Sequence, residues 1–151
     1  MPLEHEFPFA DPRENPGYLL WQVTMQWQRA MGQALAPLEL THTQFVLLAA
    51  LRWLSLPEGA VVTKSDVARH AGVDRMMASK VTRGLAKRGL IAQAPHPTSG
   101  RAQMIELTET GLAGFRAALR VVGAVDATYF GEDAGAAVEL LARLEAANGS
   151  G

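Results

Sequence analysis

Val73-Asp-Arg-Met-Met-Ala-Ser-Lys-Val-Thr-Arg-Gly-Leu-Ala-Lys-Arg-Gly-Leu-Ile91 carries two interleaved patterns at helical spacing. Val73, Met77 or Ala78, Val81 and Leu85 share one face, which can anchor a helix to a core. Met76, Lys80, Arg83 and Lys87 follow at spacings of four, three and four on a different face, left free for a partner. Asp74 is a capping residue type at the start, and Gly89 is the residue type favoured where a helix stops.

The flanks complete a motif. Upstream, Thr63-Lys-Ser-Asp66 offers a cap for a short helix through His70, and Ala71-Gly72-Val73 is a three-residue turn containing glycine. Downstream, Leu90 to Ala94 and Gln103 to Leu107 read as two strands. They are joined by a polar tip that includes Pro95-His-Pro-Thr-Ser-Gly100. Helix, tight turn, helix and hairpin predict a winged helix-turn-helix.

Charge points to the same partner. The window Thr63–Arg101 holds eight basic and two acidic residues, a net +6, whereas the rest of the chain nets −7 and the whole −1. A basic module on an acidic body fits a polyanion such as double-stranded DNA. Arg75, Met76 and Ser79, near the start of the second helix, are placed for base edges; Lys80 and Arg83 can reach bases or phosphates. Lys87 and its neighbour Arg88 suit phosphates, and Thr63, Lys64 and Ser65, at the start of the first helix, complete the set on that side. At the hairpin tip Arg101 suits insertion into a narrow minor groove. His96 there is either a hydrogen-bonding contact or a solvent-exposed turn residue.

Working outward, residues 1–15 contain Pro2, Pro8 and Pro12 without helical period and read as an extended arm. A first helix is predicted from Pro16 to Leu35, with Leu20, Val23, Trp27, Ala30, Met31, Ala34 and Leu35 on a stripe that Trp21 and Met25 widen. Thr41-His-Thr-Gln44 is a capping box, and the helix it opens, from Phe45 to about Ser55, is apolar almost all round and therefore central. Val61-Val62 suits a short strand. Thr108 caps a long helix to about Tyr129, with Leu112, Phe115, Leu119, Val122 and Val125 on its stripe. Glu132 to Ala147 forms a last helix with Val138, Leu140, Leu141 and Leu144 available for burial, and residues 148–151 a flexible tail.

Residues from about Tyr18 to Leu144 resemble the MarR family of bacterial transcription regulators. The segment Val73–Ile91 and the wing Pro97-Thr-Ser-Gly-Arg-Ala-Gln-Met-Ile-Glu-Leu-Thr-Glu-Thr-Gly111 carry the resemblance. Family wings usually read D-x-R-x-x-x-L-x-L-T-x-x-G. Arg101, Leu107, Thr108 and Gly111 match, Ile105 takes the first leucine position, and Ser99 stands where the family has an acid that often braces the arginine. The resemblance implies a mainly α fold with a small β-hairpin wing. In it a winged helix-turn-helix over 37–107 is flanked by dimerisation helices at 16–36 and 108–147, all one domain. It further implies a homodimer on a pseudo-palindromic operator, acting as a repressor released by a small aromatic or anionic effector. By helix position, Trp21, Met25, His42, Phe45, Arg52 and Trp53 are the candidate effector contacts.

Other classes find less support. The chain has no cysteine, and His5, His42, His70 and His96 are scattered without metal-ligand spacing. No nucleophile elbow, P-loop or dinucleotide glycine pattern occurs, so neither an enzyme nor a cofactor is expected. No apolar run approaches a membrane span and the start lacks a basic leader, so no membrane role and a cytoplasmic location are expected. The remaining alternatives are a winged-helix protein-interaction module and a nonspecific DNA binder.

Overall fold

The computed structural model describes residues 6–149. Its helices are α1 (Pro16–Leu35), α2 (His42–Leu54), α3 (Lys64–Ala71), α4 (Arg75–Lys87), α5 (Glu109–Phe130) and α6 (Ala134–Asn148). Between α4 and α5 lies an antiparallel hairpin, β1 (Ile91–Pro95) and β2 (Gln103–Leu107), in register from Ile91 opposite Leu107 to Pro95 opposite Gln103. This is the mainly α, winged helix-turn-helix architecture expected from the sequence.

Local chemistry sets most boundaries. Asn15 caps α1 by accepting from the Tyr18 N–H at 2.8 Å. The Thr41 hydroxyl accepts from the Gln44 N–H at 3.1 Å while the Gln44 side chain accepts from the Thr41 N–H at 2.9 Å. That reciprocal box starts α2 at His42, three residues ahead of the expected Phe45. Between α1 and α2, a 3-10 turn at Ala36–Leu38 ends on Glu39, whose φ of 56° makes it the left-handed non-glycine residue among those described.

Three expectations need adjusting at this level. Val61-Val62 forms no ladder of its own; the segment joins the hairpin through a Thr63–Met104 bridge and an Ile105 N–H donated to the Val62 carbonyl at 2.9 Å. The arm expected at 1–15 contains a 3-10 turn at Pro12–Glu14, capped by the Asp11 side chain, and its residues 1–5 lie outside the described residues. Of the expected tail, Asn148 still belongs to α6, and residues 150 and 151 lie outside the described residues.

The core forms around α2, which buries Phe45, Leu47, Leu48, Ala50 and Leu51. Met31 and Leu35 of α1, Val67 of α3, Leu85 of α4 and Ile105 of β2 close on it, and Phe45 stacks on Phe115 of α5 at 6.0 Å between ring centres. α1 and α5 are tied by the Trp27 indole N–H donated to Asp126 at 2.9 Å and by the Tyr129 hydroxyl donated to Gln26 at 3.0 Å. His42 lies edge-on to Trp27 at 4.9 Å, and burial holds its imidazole below the usual histidine range, opposed by the nearby Asp126 charge.

The outer helices behave otherwise. On α1 only Met31 and Leu35 of the expected stripe are buried, while Leu20 is 55% and Trp21 62% exposed. On α6 no residue is buried, and Val138, Leu140, Leu141 and Leu144 all face solvent in the single chain. Leu119 of α5 is also exposed, and Ala118 and Gly111 are buried in its place.

Candidate nucleic-acid interface

α3 and α4 meet through a turn that the backbone must reverse sharply. Gly72 supplies it, with φ of 70°, and the Val73 N–H donates back to the Ala68 carbonyl at 3.0 Å. Asp74 then caps α4 by accepting from the Met77 N–H at 2.8 Å. α4 buries Ala78, Thr82 and Leu85. The choice left open between Met77 and Ala78 therefore falls to Ala78; Met77 is exposed, and Thr82 takes a core position that its polar side chain had hidden.

The opposite face of α4 matches the expected one. Arg75, Met76, Met77, Lys80, Arg83 and Lys87 are exposed, Ser79 is half-buried at the edge, and Met76 reaches 84% exposure. Asp74, Arg75, Met76, Met77, Lys80 and Arg83 line one shallow depression. Among the described residues the ion pair present is Arg69 with Asp66 at 2.7 Å, so no carboxylate neutralises the cations of α4 or Arg101 of the wing. A row of unpaired cations with an uncharged apolar side chain at its head can bind phosphates and read base edges at once.

The start of α3 is occupied in a different way. The Thr63 hydroxyl accepts from the Asp66 N–H at 3.1 Å, and Asp66 accepts from the Thr63 N–H at 2.9 Å and from Arg69. The Thr63 backbone N–H above all holds the Asp66 carboxyl below its ordinary range; burial, the next effect, opposes it, and the Thr63 hydroxyl and Arg69 add to the lowering. Lys64 reaches Gln103 of β2 at 3.3 Å, and Ser65 is exposed. Thr63 and Lys64 thus fasten α3 to the wing.

The wing's far end is locked by Thr108. Its hydroxyl donates to the Gly89 carbonyl at 2.6 Å and accepts from the Gly111 N–H at 2.9 Å, and its own N–H donates to Leu90 at 3.2 Å. A Cβ on Gly111 would lie 1.8 Å from the Leu90 carbonyl oxygen, so a side chain there is excluded. These contacts give a physical reason for the Thr-x-x-Gly spacing at the end of the wing pattern. Arg88, expected on phosphate, instead donates to the Glu39 carbonyl and holds the α1–α2 corner against the end of α4.

At the tip Arg101 is exposed. His96 does not point freely outward: it is half-buried, and its Nδ1 accepts from the Thr98 and Ser99 N–H groups at 3.1 and 3.0 Å.

The six expected effector residues divide. Phe45, Arg52 and Trp53 line an open groove of about 660 Å³ between α2, the end of α3 and α5. His70, Phe115 and Leu119 also line it; sequence reading missed them because the groove arises from three elements meeting, which periodicity does not report. Trp21 and Met25 on α1 do not line it, and His42 sits at the Trp27–Asp126 cluster instead.

No family model matches the chain. The HTH-type transcriptional regulator YdcH of Bacillus subtilis is 39% identical over 128 residues, covering 85% of this chain and 86% of its own. An HTH-type transcriptional repressor of Mycobacterium tuberculosis is 37% identical over 111 residues, 74% of this chain and 76% of its own. Among solved structures, a mutant MarR from Escherichia coli complexed with operator DNA matches with a TM-score of 0.74 at 22% identity, covering 95% of this chain and 96% of that one. CouR from Rhodococcus jostii bound to p-coumaroyl-CoA matches with a TM-score of 0.78 at 23% identity, over 91% and 94% of the two chains.

Proposed function

The chain belongs to the MarR family of transcription regulators, and from that premise we propose how it works: as a homodimer that binds an inverted-repeat operator in duplex DNA. The observation that carries this reading is α4, whose buried face fixes it to the core while Arg75, Lys80, Arg83 and Lys87 stand exposed without acidic partners. In the major groove, Arg75, Ser79 and Arg83 read base edges, Met76 meets thymine methyl groups, and Lys80 and Lys87 hold phosphates. Arg101 enters the adjacent minor groove. The exposed apolar side chains of α1 and α6 support the dimer, since a second copy of the chain can cover them.

Repression by occupying the operator is the mode that the likeness to the Mycobacterium tuberculosis repressor and to the operator-bound MarR supports, and a cytoplasmic, non-catalytic role is part of the same proposal. The groove lined by Phe45, Trp53 and Phe115, with Arg52 and His70 as its polar groups, suits a flat apolar or anionic effector. Its lining includes His70 and Ala71, the last turn of α3 before α4, so an occupant would bear on the position of α4. The bound ligand of CouR supports the same kind of control.

The test is selection from a random duplex pool at near-physiological salt. An enriched inverted repeat with half-sites about 10 base pairs apart is expected. Retention without an enriched sequence would replace this reading with nonspecific binding, and no retention would replace it with a protein-docking winged helix.

A further inference from the structure

We propose that His96 is the positioning residue of the wing, organising the tip that carries Arg101, and that it does so only with Nδ1 unprotonated. The inference rests on the DNA-binding reading above and concerns how the wing is made ready for it.

Beyond the last strand pair, Pro95 with Gln103, the chain must turn through a stretch rich in small and turn-forming residues. Every hydrogen bond within residues 96–102 involves His96. Its N–H donates to the Ala102 carbonyl at 3.2 Å, and its Nδ1 takes the N–H groups of Thr98 at 3.1 Å and Ser99 at 3.0 Å, with the Thr98 hydroxyl at 3.3 Å. The residues from Pro97 to Arg101 are exposed while His96 is half-buried, so the imidazole is the inside of the turn. A ring nitrogen that accepts from backbone N–H groups places the ring proton on Nε2. The geometry is that of an Asx turn, with imidazole in place of a carboxylate or amide oxygen.

Ser99, two residues before Arg101, carries no charge, and Arg101 has no ion pair among the described residues. The tip is therefore ordered from inside by His96 rather than from Arg101 outward. Protonating Nδ1 would turn an acceptor into a donor facing two other donors, and the turn would open. The charged groups carried by the hairpin and the helix fastened to it are Arg101 at the tip, Glu106 on β2 and Lys64, which is bound to Gln103; among the described residues none is ion-paired with His96. Acid therefore separates two roles by sign. A histidine that touched phosphate would bind DNA more tightly when charged, whereas a histidine that holds the turn makes binding weaker.

The probe is the inverted-repeat duplex selected above, bound at about pH 8 and again at about pH 5.5. The native chain should bind more weakly at the acid end. His96→Ala should bind roughly three- to tenfold more weakly at both ends. His96→Asn, whose amide oxygen can accept from the N–H two residues on, should keep native affinity and lose the acid-dependent part. In an Arg101→Ala background, His96→Ala should cost nothing further. By NMR of the free protein, the Thr98 and Ser99 amides should be protected near neutral pH and lose protection in His96→Ala.

Tighter binding in acid, a His96→Asn variant as weak as His96→Ala, or full additivity with Arg101→Ala would each overturn the positioning role. If no duplex is retained while the two amides stay protected, the DNA-binding reading fails and this role in it fails too. A duplex held equally well by native and His96→Ala chains overturns the positioning role alone.

Discussion

α4 and α6 are nearly equal in length, thirteen and fifteen residues, and treat solvent in opposite ways. α4 buries a narrow apolar face and exposes cations; α6 buries nothing and exposes Val138, Leu140, Leu141 and Leu144. A helix that exposes charge is finished as it stands and waits only for a counter-charge. A helix that exposes leucines is unfinished, because its formation in water depends on covering that face. Partner type can thus be read from what each helix leaves uncovered: polyanion for α4, another apolar surface for α6.

The largest effect that would break this contrast is on α6. Replacing Leu141 and Leu144 together by Glu should convert the dimer to a monomer in analytical ultracentrifugation. It should also weaken binding to the inverted repeat by roughly a hundredfold, through loss of two-site engagement. A dimer that survives both changes would mean that α6 is not the covered face.

On α4, Arg83→Ala should cost about 2 kcal/mol of operator affinity while helix content and dimer remain intact. Unchanged affinity would remove Arg83 from the base-reading set. On the wing, Arg101→Ala should cost about 1 kcal/mol and leave the selected half-site unchanged, and a shifted consensus would instead assign it to direct base reading. Met76→Ala is expected to cost less than about 1 kcal/mol, with its signature in substitution of operator thymines by uracil: the native chain should lose affinity at one position, and the variant should not.

The smallest effect concerns the interior. Burial lowers the His42 pKa, so the unfolded chain takes up this proton before the folded one as pH falls through the ordinary value of 6.5. The stability contribution is present above that value and declines below it. His42→Gln should flatten that part of the acid-side loss in urea midpoints measured across the range. An unchanged slope would place the loss elsewhere.

Much of this was legible in the sequence wherever the signal is local. Thr41, Thr63, Asp74 and Thr108 all cap the helices they were expected to cap, because a cap needs only a side-chain oxygen and a backbone N–H three residues on. The cation face of α4 was legible for the same reason, since spacing alone puts Lys80, Arg83 and Lys87 together.

What failed to show depends on distant chain. Met77 and Ala78 differ by one step around the helix, and the packing of α4 on α2, α3 and β1 decides which is buried. Arg88 reads as another cation until the Glu39 carbonyl comes within reach. The stripes of α1 and α6 announce burial without saying in which chain. The His96 turn had a local signal, an acceptor two residues before Thr98, but imidazole is an uncommon bearer of it.

Thr63 belongs to α3 and to the wing at once: its hydroxyl starts the helix and its backbone bridges Met104. The helix pair and the hairpin therefore travel as a single block, and on a duplex their two footprints keep a constant phase. An extra base pair between the footprints of one protomer asks that block to come apart. If α4 and Arg101 both meet the duplex as proposed, operators for this chain are expected to keep a fixed length within each arm.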